Sequence, residues 1–289
     1  MPIRLAALLG LLAVVQQATV FAPGMISTGN VFGTTFTPDG RTIYFNRSTP
    51  DRASLTVYQS TRTATGWSDP VVAPFSGRWR DFDAFVSPDG TQLWFNSNRP
   101  FSPGDSAQRS PRTWVMDRTG DGWGEARPLR ELAGIGRAEY FTSTTRNGTL
   151  YFTVHPDGTR NSAIVRVPRR GTTYGPEQRL AALDSDSADS NPLVAPDESF
   201  LIFMSSRAGG AGRGDLYIAF REGEGWSAPV RLGDDVNTPA VEFAPGLSPD
   251  GRTLYFTRMV RTPDDRAIVE ENIHSVPFDA AVLRRKLRG

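Results

Sequence analysis

One short sequence pattern recurs along the whole chain and limits what it can fold into. Its clearest copy, SPDGRTLYF, occupies residues 248–256, with close copies at 37–45 and 87–95. Weaker copies lie at 145–152 and 195–203, so the pattern returns about every 50 to 58 residues. A period of this length indicates one supersecondary unit repeated five times.

Each copy predicts a β-hairpin. Ser or Thr followed by Pro, Asp and Gly suits a type I turn in which Gly takes the left-handed conformation. The residues that follow alternate polar with apolar side chains and are rich in aromatic and β-branched types, which is typical of a strand. A third strand and a turn with an aromatic residue come next in four of the repeats. Four antiparallel strands in about 50 residues predict a propeller blade.

The fifth repeat has no final strand of its own. The segment 21–27 (FAPGMIS) resembles residues 72–76 (VAPFS), and each precedes a hairpin pattern by a similar distance. We therefore expect residues 19–26 to pair with the last blade and close the ring, which removes free strand edges. The predicted fold is all-β: a propeller of five four-stranded blades, with the N-terminal strand completing the last one.

The N-terminus is typical of a secretory signal peptide. Arg4 precedes the apolar run 5–15, which is too short to span a bilayer. We predict cleavage after Ala18, with Ala22 as the alternative, a propeller domain over 19–289, and a periplasmic or secreted location without a transmembrane span. A buried strand or an uncleaved anchor is the other interpretation of this run. The chain has no Cys, which excludes a disulfide framework and a thiol nucleophile.

The repeats also carry a family resemblance. The SPDGRTLYF units, the segment 225–232 (GWSAPVRL) and the join 236–245 (VNTPAVEFAP) resemble the WD40-like PD40 propeller repeat, found in the propeller half of TolB-type proteins. The resemblance covers nearly all of the expected mature chain and implies a propeller in the cell envelope or outside it. It implies no single reaction, and no domain like the α/β domain of TolB precedes the repeats here.

Alignment of the repeats reveals an acidic position seven residues before the turn proline. It is occupied by Val31, Asp81, Glu139, Asp189 and Glu242. Just after the second strand stand Arg47, Arg99, Arg207 and Arg258, with His155 in the third repeat. Both positions belong to the propeller face opposite the Pro-Asp-Gly turns, and we expect carboxylates and arginines around that mouth of the channel.

Two interpretations of this set remain open. Each carboxylate can pair with an arginine and fix the blades, which explains why the pattern repeats. Alternatively, these acidic and basic side chains, together with Asp83, form a ligand site. Ca²⁺ would suit a group of carboxylates, but no EF-hand spacing is present, so no cofactor or metal is predicted. The aromatic residues Trp67, Trp123, Tyr174 and Trp226 occupy equivalent places and are expected to pack between blades.

The function predicted from these features is binding of a protein, peptide or glycan by a monomeric, non-catalytic propeller. Its loop-bearing face, around the channel mouth, would hold the ligand, since insertions fall at 100–112, 208–214 and 260–271. The alternatives are a glycoside hydrolase that uses Asp81, Glu139, Asp189 or Glu242, and a sialidase-like enzyme with an arginine cluster. The net charge of +1 disfavours a nucleic-acid partner.

Overall fold

The chain forms a five-bladed β-propeller. The computed structural model describes residues 17–287, except for residues 103, 109, 130–138 and 156–160. The side chain of Glu139 is also outside the described part. The first 16 residues, which are all but the last two of the predicted signal peptide 1–18, lie outside the described part. The structure begins with a short strand, β1 (Thr19–Val20), which belongs to the last blade.

Blades 1 and 2 have the same plan: three long antiparallel strands and an outer edge made of two short pieces. Blade 1 contains β2 (Val31–Phe36), β3 (Thr42–Ser48), β4 (Leu55–Thr63), β5 (Gly66–Trp67) and β6 (Val71–Val72). Blade 2 contains β7 (Asp81–Val86), β8 (Gln92–Ser97), β9 (Arg112–Thr119), β10 (Gly122–Trp123) and β11 (Arg127–Pro128). In each blade both outer pieces pair with the third strand. In blade 1 Pro70, which has no N–H to donate, lies between the two pieces.

Blades 3 and 4 repeat this plan. Blade 3 contains β12 (Glu139–Thr144), β13 (Leu150–Val154), β14 (Ala163–Val167) and β17 (Gln178–Arg179), with a small hairpin of β15 (Arg169–Arg170) and β16 (Thr173–Tyr174). Blade 4 contains β18 (Asp189–Val194), β19 (Phe200–Ser205), β20 (Asp215–Glu222), β21 (Gly225–Trp226) and β22 (Val230–Arg231).

The N-terminal strand completes blade 5, as the sequence predicts, but only Thr19 and Val20 of the expected segment 19–26 form that strand. Its strands are β23 (Val241–Leu247), β24 (Thr253–Arg261) and β25 (Ile268–Pro277), and β1 pairs antiparallel with β25. The helix α1 (Ala280–Lys286) follows and was not predicted. Asp279 caps it by accepting a hydrogen bond from Val282 N at 2.9 Å. Among the residues that the structure describes, no helix is long and apolar enough to cross a membrane.

The hairpin turns have the predicted chemistry. In the turn at 37–40, Gly40 N donates to Thr37 O at 2.8 Å, and Gly40 has a φ of 68°. The fourth turn places Glu198 at the equivalent position with a φ of 62°. Its carboxylate is held by Tyr151 Oη and Arg166 Nε of blade 3, at 2.5 and 2.7 Å. These contacts offset the cost of a left-handed conformation in a residue other than glycine.

The aromatic residues of the Gly-Trp turns pack between neighbouring blades. Trp123 Nε1 donates to Tyr44 Oη of blade 1 at 2.9 Å. Trp226 lies edge-on to Tyr151 of blade 3, with 6.1 Å between ring centroids. These contacts agree with the interpretation that they belong to the core and are not a sugar-stacking surface.

A ring of hydrogen bonds joins each inner strand to the blade that precedes it. Each inner strand has a β-bulge, and the bulged residue has a φ between 47° and 61°. The N–H of Gly33 donates to Thr257 Oγ1 at 2.9 Å, that of Asp83 to Asn46 Oδ1 at 3.0 Å, and that of Phe141 to Asn96 Oδ1 at 3.2 Å. The N–H of Asn191 donates to Thr153 Oγ1 and that of Ala244 to Asn191 Oδ1, both at 2.9 Å. In every case the acceptor belongs to the preceding blade. In blade 4, Met204 occupies the usual acceptor position, and Asn191 supplies the bond instead.

Replacing Asn46 by Ala tests the importance of this ring. The change leaves the buried Asp83 N–H without its acceptor and removes the bond from Asn46 Nδ2 to Phe32 O. We expect the free energy of unfolding to fall by about 1–3 kcal/mol, as measured by urea denaturation. Gln92→Ala, a surface control that loses only a contact to exposed Asp117, should change it by less than about 0.5 kcal/mol. Equal effects of the two changes would contradict the importance of the ring.

Candidate functional site

The predicted acidic and basic positions meet on the loop face, which is the side where the inner strands begin and the second strands end. The register pairs Glu242 directly with Arg258, and Asp81 and Asp189 with residues two positions before their arginines. Each of these three carboxylates lies within 2.8–2.9 Å of the guanidinium of its own blade. All three acids are buried, with 1% or less of each residue exposed.

Each arginine also holds the segment that leads into its own blade. Arg99, Arg207 and Arg258 donate through Nη2 to the carbonyl oxygens of Phe75, Leu183 and Val236, at 2.8, 2.7 and 2.8 Å. One guanidinium therefore ties the inner strand to the connection from the preceding blade. Burial raises the pKa of Glu242, although hydrogen bonds from Thr238 and Arg258 oppose that shift.

The first and third blades depart from this arrangement. Blade 1 has Val31 in place of the acid, so Arg47 stacks on Tyr58 at 4.7 Å and donates to Met25 O at 3.3 Å. In blade 3 Glu139 begins the inner strand, but its side chain lies outside the described part. His155 lies edge-on to Tyr140, and partial burial lowers its pKa. As ligand-binding residues, the members of this set stay a prediction.

Aromatic side chains follow the acidic position in four of the five blades. They are Phe32, Phe82, Tyr140 and Phe243. Phe32 packs on Phe243 and Phe82 on Tyr140, with centroid distances of 6.2 and 6.0 Å. Along the inner strands, this apolar layer lies between the ion pairs and the bulged residues. The recurrence six residues before the turn proline was visible in the sequence, but its meaning depends on strand orientation.

Asp83 differs from the other acidic residues because it occupies a bulge position. Only 6% of the residue is exposed, and neither carboxylate oxygen has a hydrogen-bond partner among the described residues. The nearby Phe141 N–H donates to Asn96 Oδ1 instead, at 3.2 Å. Asp83 therefore lies in the channel lining, separate from the arginine pairs with which the sequence analysis grouped it.

The effect of Asp83→Asn on stability, relative to the wild type, should depend on pH. Burial raises the pKa of Asp83 well above its ordinary range, while the charge of Arg52, the nearby backbone N–H of Phe141 and the charge of Arg80 oppose that shift. A carboxyl with a raised folded-state pKa stabilises the fold below its unfolded pKa of about 4, and this contribution is lost as the pH rises through the folded pKa. We expect the melting temperature of Asp83→Asn to be higher than that of the wild type at about pH 8 and equal to it at about pH 4. A melting difference that does not change with pH would contradict this.

The loops of blades 4 and 5 are joined on the loop face. The Gly-rich composition of segment 208–214 favours a flexible solvent loop, but in the structure the segment packs against blade 5. Glu242 N donates to Gly214 O at 2.8 Å. Gly212 lies so close to the backbone of Ala240 that no side chain would fit at this position. Segment 260–271, predicted as an insertion, is mostly an extension of the β24–β25 hairpin. Arg213 and Asp265 form an ion pair between these two elements.

A small cavity lies at this junction. Its volume is about 180 Å³, and Arg213, Pro239, Met259, Arg261 and Asp265 contribute to its walls. On the projecting hairpin, Val260 and Val269 are 38% and 65% exposed. Among the described residues, no group of three His, Asp or Glu side chains could hold a metal ion.

The strand order defines a five-bladed β-propeller, and comparisons with solved structures support this fold. A structure assigned as TolB, from Agrobacterium tumefaciens, has a TM-score of 0.53 at 15% identity and covers 87% of this chain and 91% of its own. A thermostable family-43 glycoside hydrolase and an alpha-L-arabinofuranosidase from Lactobacillus brevis have TM-scores of 0.55 and 0.56. Their identities are 12% and 10%, and each comparison covers 91% of this chain and 94% of the other.

At these identities the likeness concerns the fold alone. No model of a known protein family matches the chain, and the search of curated proteins found no match.

Proposed function

We propose that this chain is an exported, non-catalytic propeller that binds a protein, peptide or glycan on its loop face. The observation that carries the proposal is the pairing of the buried carboxylates of Asp81, Asp189 and Glu242 with partly buried arginines. A glycosidase needs one carboxyl with a raised pKa and a second carboxylate free to act as base or nucleophile. Arginine pairing instead favours an architectural role for these acids.

The cavity between blades 4 and 5 is the ligand position that we favour. The ion pair of Arg213 with Asp265, and a second one between Arg261 Nε and Asp265 at 2.6 Å, order the loop and the hairpin before a ligand arrives. Ordered loops lose less conformational freedom on binding. The exposed Val260 and Val269 add apolar surface to the same hairpin that carries Met259 and Arg261.

Export is proposed from the N-terminal segment. Cleavage after Ala18 leaves β1 intact at the start of the mature chain, whereas cleavage after Ala22 removes it. The resemblance to TolB-type repeats and the structural likeness to a TolB protein agree with a location in the cell envelope or outside it.

A binding screen with matched variants tests the proposed function. Glycan and peptide arrays are probed with the wild type and with Val260→Asp/Val269→Asp, which charges the hairpin. The control is Val71→Asp/Val72→Asp, two valines that are 55% and 43% exposed on the outer edge of blade 1. We expect binding to fall at least about tenfold with the hairpin variant only.

The same proteins are assayed for hydrolysis of chromogenic pentosides and sialosides. We expect no turnover by the wild type. Turnover that disappears in Asp189→Asn or Glu242→Gln, while the melting temperature is kept, would overturn the non-catalytic proposal in favour of a hydrolase. Binding that survives charging of the hairpin would place the ligand elsewhere.

A further inference from the structure

The channel has a buried carboxyl, Asp83, that has no hydrogen-bond partner among the described residues and that the fold itself does not require. The positions equivalent to Asp83 hold Gly33, Phe141, Asn191 and Ala244, so four blades form the same bulge without an ionisable group. In blade 4, Asn191 Oδ1 accepts a hydrogen bond from the next blade at 2.9 Å, whereas the Asp83 carboxylate accepts none. A buried acid without a partner costs stability, which points to an occupant that supplies one.

Asp83 lines a cavity on the propeller axis. This inner cavity has a volume of about 40 Å³, and the polar residues Asn46, Thr142 and Asn191 are among those that line it. A wider cavity of about 160 Å³ lies beside it toward the turn face, and Thr34, Phe85 and Leu193 line both. The two cavities are neighbours and together outline a path along the axis, and Asp83 lines its inner part.

The outer part of this path is apolar and narrow. Four turn prolines surround it, together with the side chains of Phe36, Phe85, Leu193 and Leu247; the prolines are Pro38, Pro88, Pro196 and Pro249. From a turn proline to the bulge is five residues, which corresponds to about 16 Å of strand at most. A slender, unbranched aliphatic chain fits a path of this shape.

Aspartates recur on the rim of the turn face, and Arg41, Arg146 and Arg252 lie among them. An aspartate follows the turn proline in four blades; these are Asp39, Asp89, Asp197 and Asp250. Hydrogen bonds from the turn hydroxyls of Thr37 and Ser248 lower the pKa values of Asp39 and Asp250. Arg146 is the cation in the third turn, and Arg41, beside the first, is largely exposed to solvent.

The charged groups near Asp83 on the other side are already engaged. Arg52 forms an ion pair with Glu271 and stacks on Phe32 at 4.9 Å. Arg80 stacks on Phe82 at 5.4 Å. Tyr140, on the neighbouring blade, has a pKa that burial raises, with the charge of Asp83 contributing. Neither arginine donates a hydrogen bond to Asp83, so the carboxyl keeps its capacity to accept one from a ligand.

We propose that the channel binds an ammonium group carried on an unbranched aliphatic chain, which enters from the turn face and pairs with Asp83. The methylene chain lies among the prolines and the four apolar side chains, and a second ammonium at the outer end meets the aspartates of the rim. A linear diamine or polyamine has this chemistry, and so does a lysine side chain of a partner protein. The proposal is independent of the ligand proposed for the loop face.

Calorimetric titration with 1,8-diaminooctane tests the proposal. We expect binding by the wild type and at least a tenfold loss in Asp83→Asn, for which Asn191 shows that the bulge accepts an amide. Asp117→Asn, on the exposed edge of blade 2, should bind like the wild type. The neutral isostere 1,8-octanediol should not bind. A lysine-containing peptide, compared with its norleucine analogue, tests whether the ammonium can come from a lysine side chain as well as from a free diamine.

Proton release provides a second readout in the wild type alone. Burial raises the pKa of Asp83, and pairing with an ammonium should lower it again, so binding should release protons, seen as heats that differ between buffers of different ionisation enthalpy. Asp83→Asn should release none. Failure of the diamine to bind at millimolar concentration, equal affinity of the diol, or unchanged binding by a folded Asp83→Asn would each overturn the proposal.

Discussion

Removal of residues 19–26 is expected to lower the melting temperature by at least about 10 °C. Ile26 is completely buried, and exchanging such a residue for Ala alone costs about 2–5 kcal/mol. In a chain of this size each kcal/mol corresponds to roughly 2–4 °C. The deletion also removes the bond from Phe21 N to Ile273 O at 2.8 Å and the contact of Phe21 with Tyr255 at 5.0 Å. Differential scanning calorimetry measures the shift.

Two further N-terminal truncations make this result specific. A chain that starts at Gln17 keeps β1 and should have the same melting temperature as the full-length protein. A chain that starts at Pro23, the product of the alternative cleavage, loses β1 and Phe21 but keeps Ile26, so it should melt between the two. If the chain without residues 19–26 melts within about 2 °C of the full-length protein, ring closure by this strand does not stabilise the propeller.

Loss of the Asp189 carboxylate is expected to destabilise the protein by about 3–5 kcal/mol. The change Asp189→Ala leaves the guanidinium of Arg207, whose side chain is 19% exposed, without its counter-charge. It also removes the acceptor for the N–H and hydroxyl of Ser185, at 2.7 and 2.8 Å. Chemical denaturation measures the change in the free energy of unfolding.

An exposed ion pair is the matched control. Asp117 and Arg127 lie 3.2 Å apart, with side chains 59% and 52% exposed, so Asp117→Ala should cost less than about 1 kcal/mol. A double-mutant cycle on Asp189 and Arg207 isolates the coupling between the two side chains. A cost below 1 kcal/mol for Asp189→Ala, together with lost ligand binding, would favour the ligand-site interpretation of these acids over the architectural one.

Several features could be predicted because the interactions that cause them are local. The Pro-Asp-Gly turns depend on the conformational preferences of three consecutive residues. The partnership of Glu242 with Arg258 follows from a hairpin of constant length, which places them directly opposite each other. Ring closure was predictable for a different reason, since the fifth repeat lacks a strand that the N-terminus can supply.

Other features were missed because they depend on packing across blades. Asp83 was grouped with Asp81, two residues away, as simple alternation along a strand suggests. The bulge after Phe82 changes the side-chain direction and turns Asp83 into the channel lining. The extension of the β24–β25 hairpin and the helix α1 were likewise absent from the prediction.

The sequence by itself determined the unit of this protein, the number of units and the strand that closes the ring, because turn chemistry, strand alternation and a fivefold period are encoded in short segments. The tertiary structure decided which carboxylates are neutralised, and it left Asp83 without a hydrogen-bond partner among the described residues. That distinction depends on distances between side chains of different strands and on burial, and both arise only when the five blades close around a common axis.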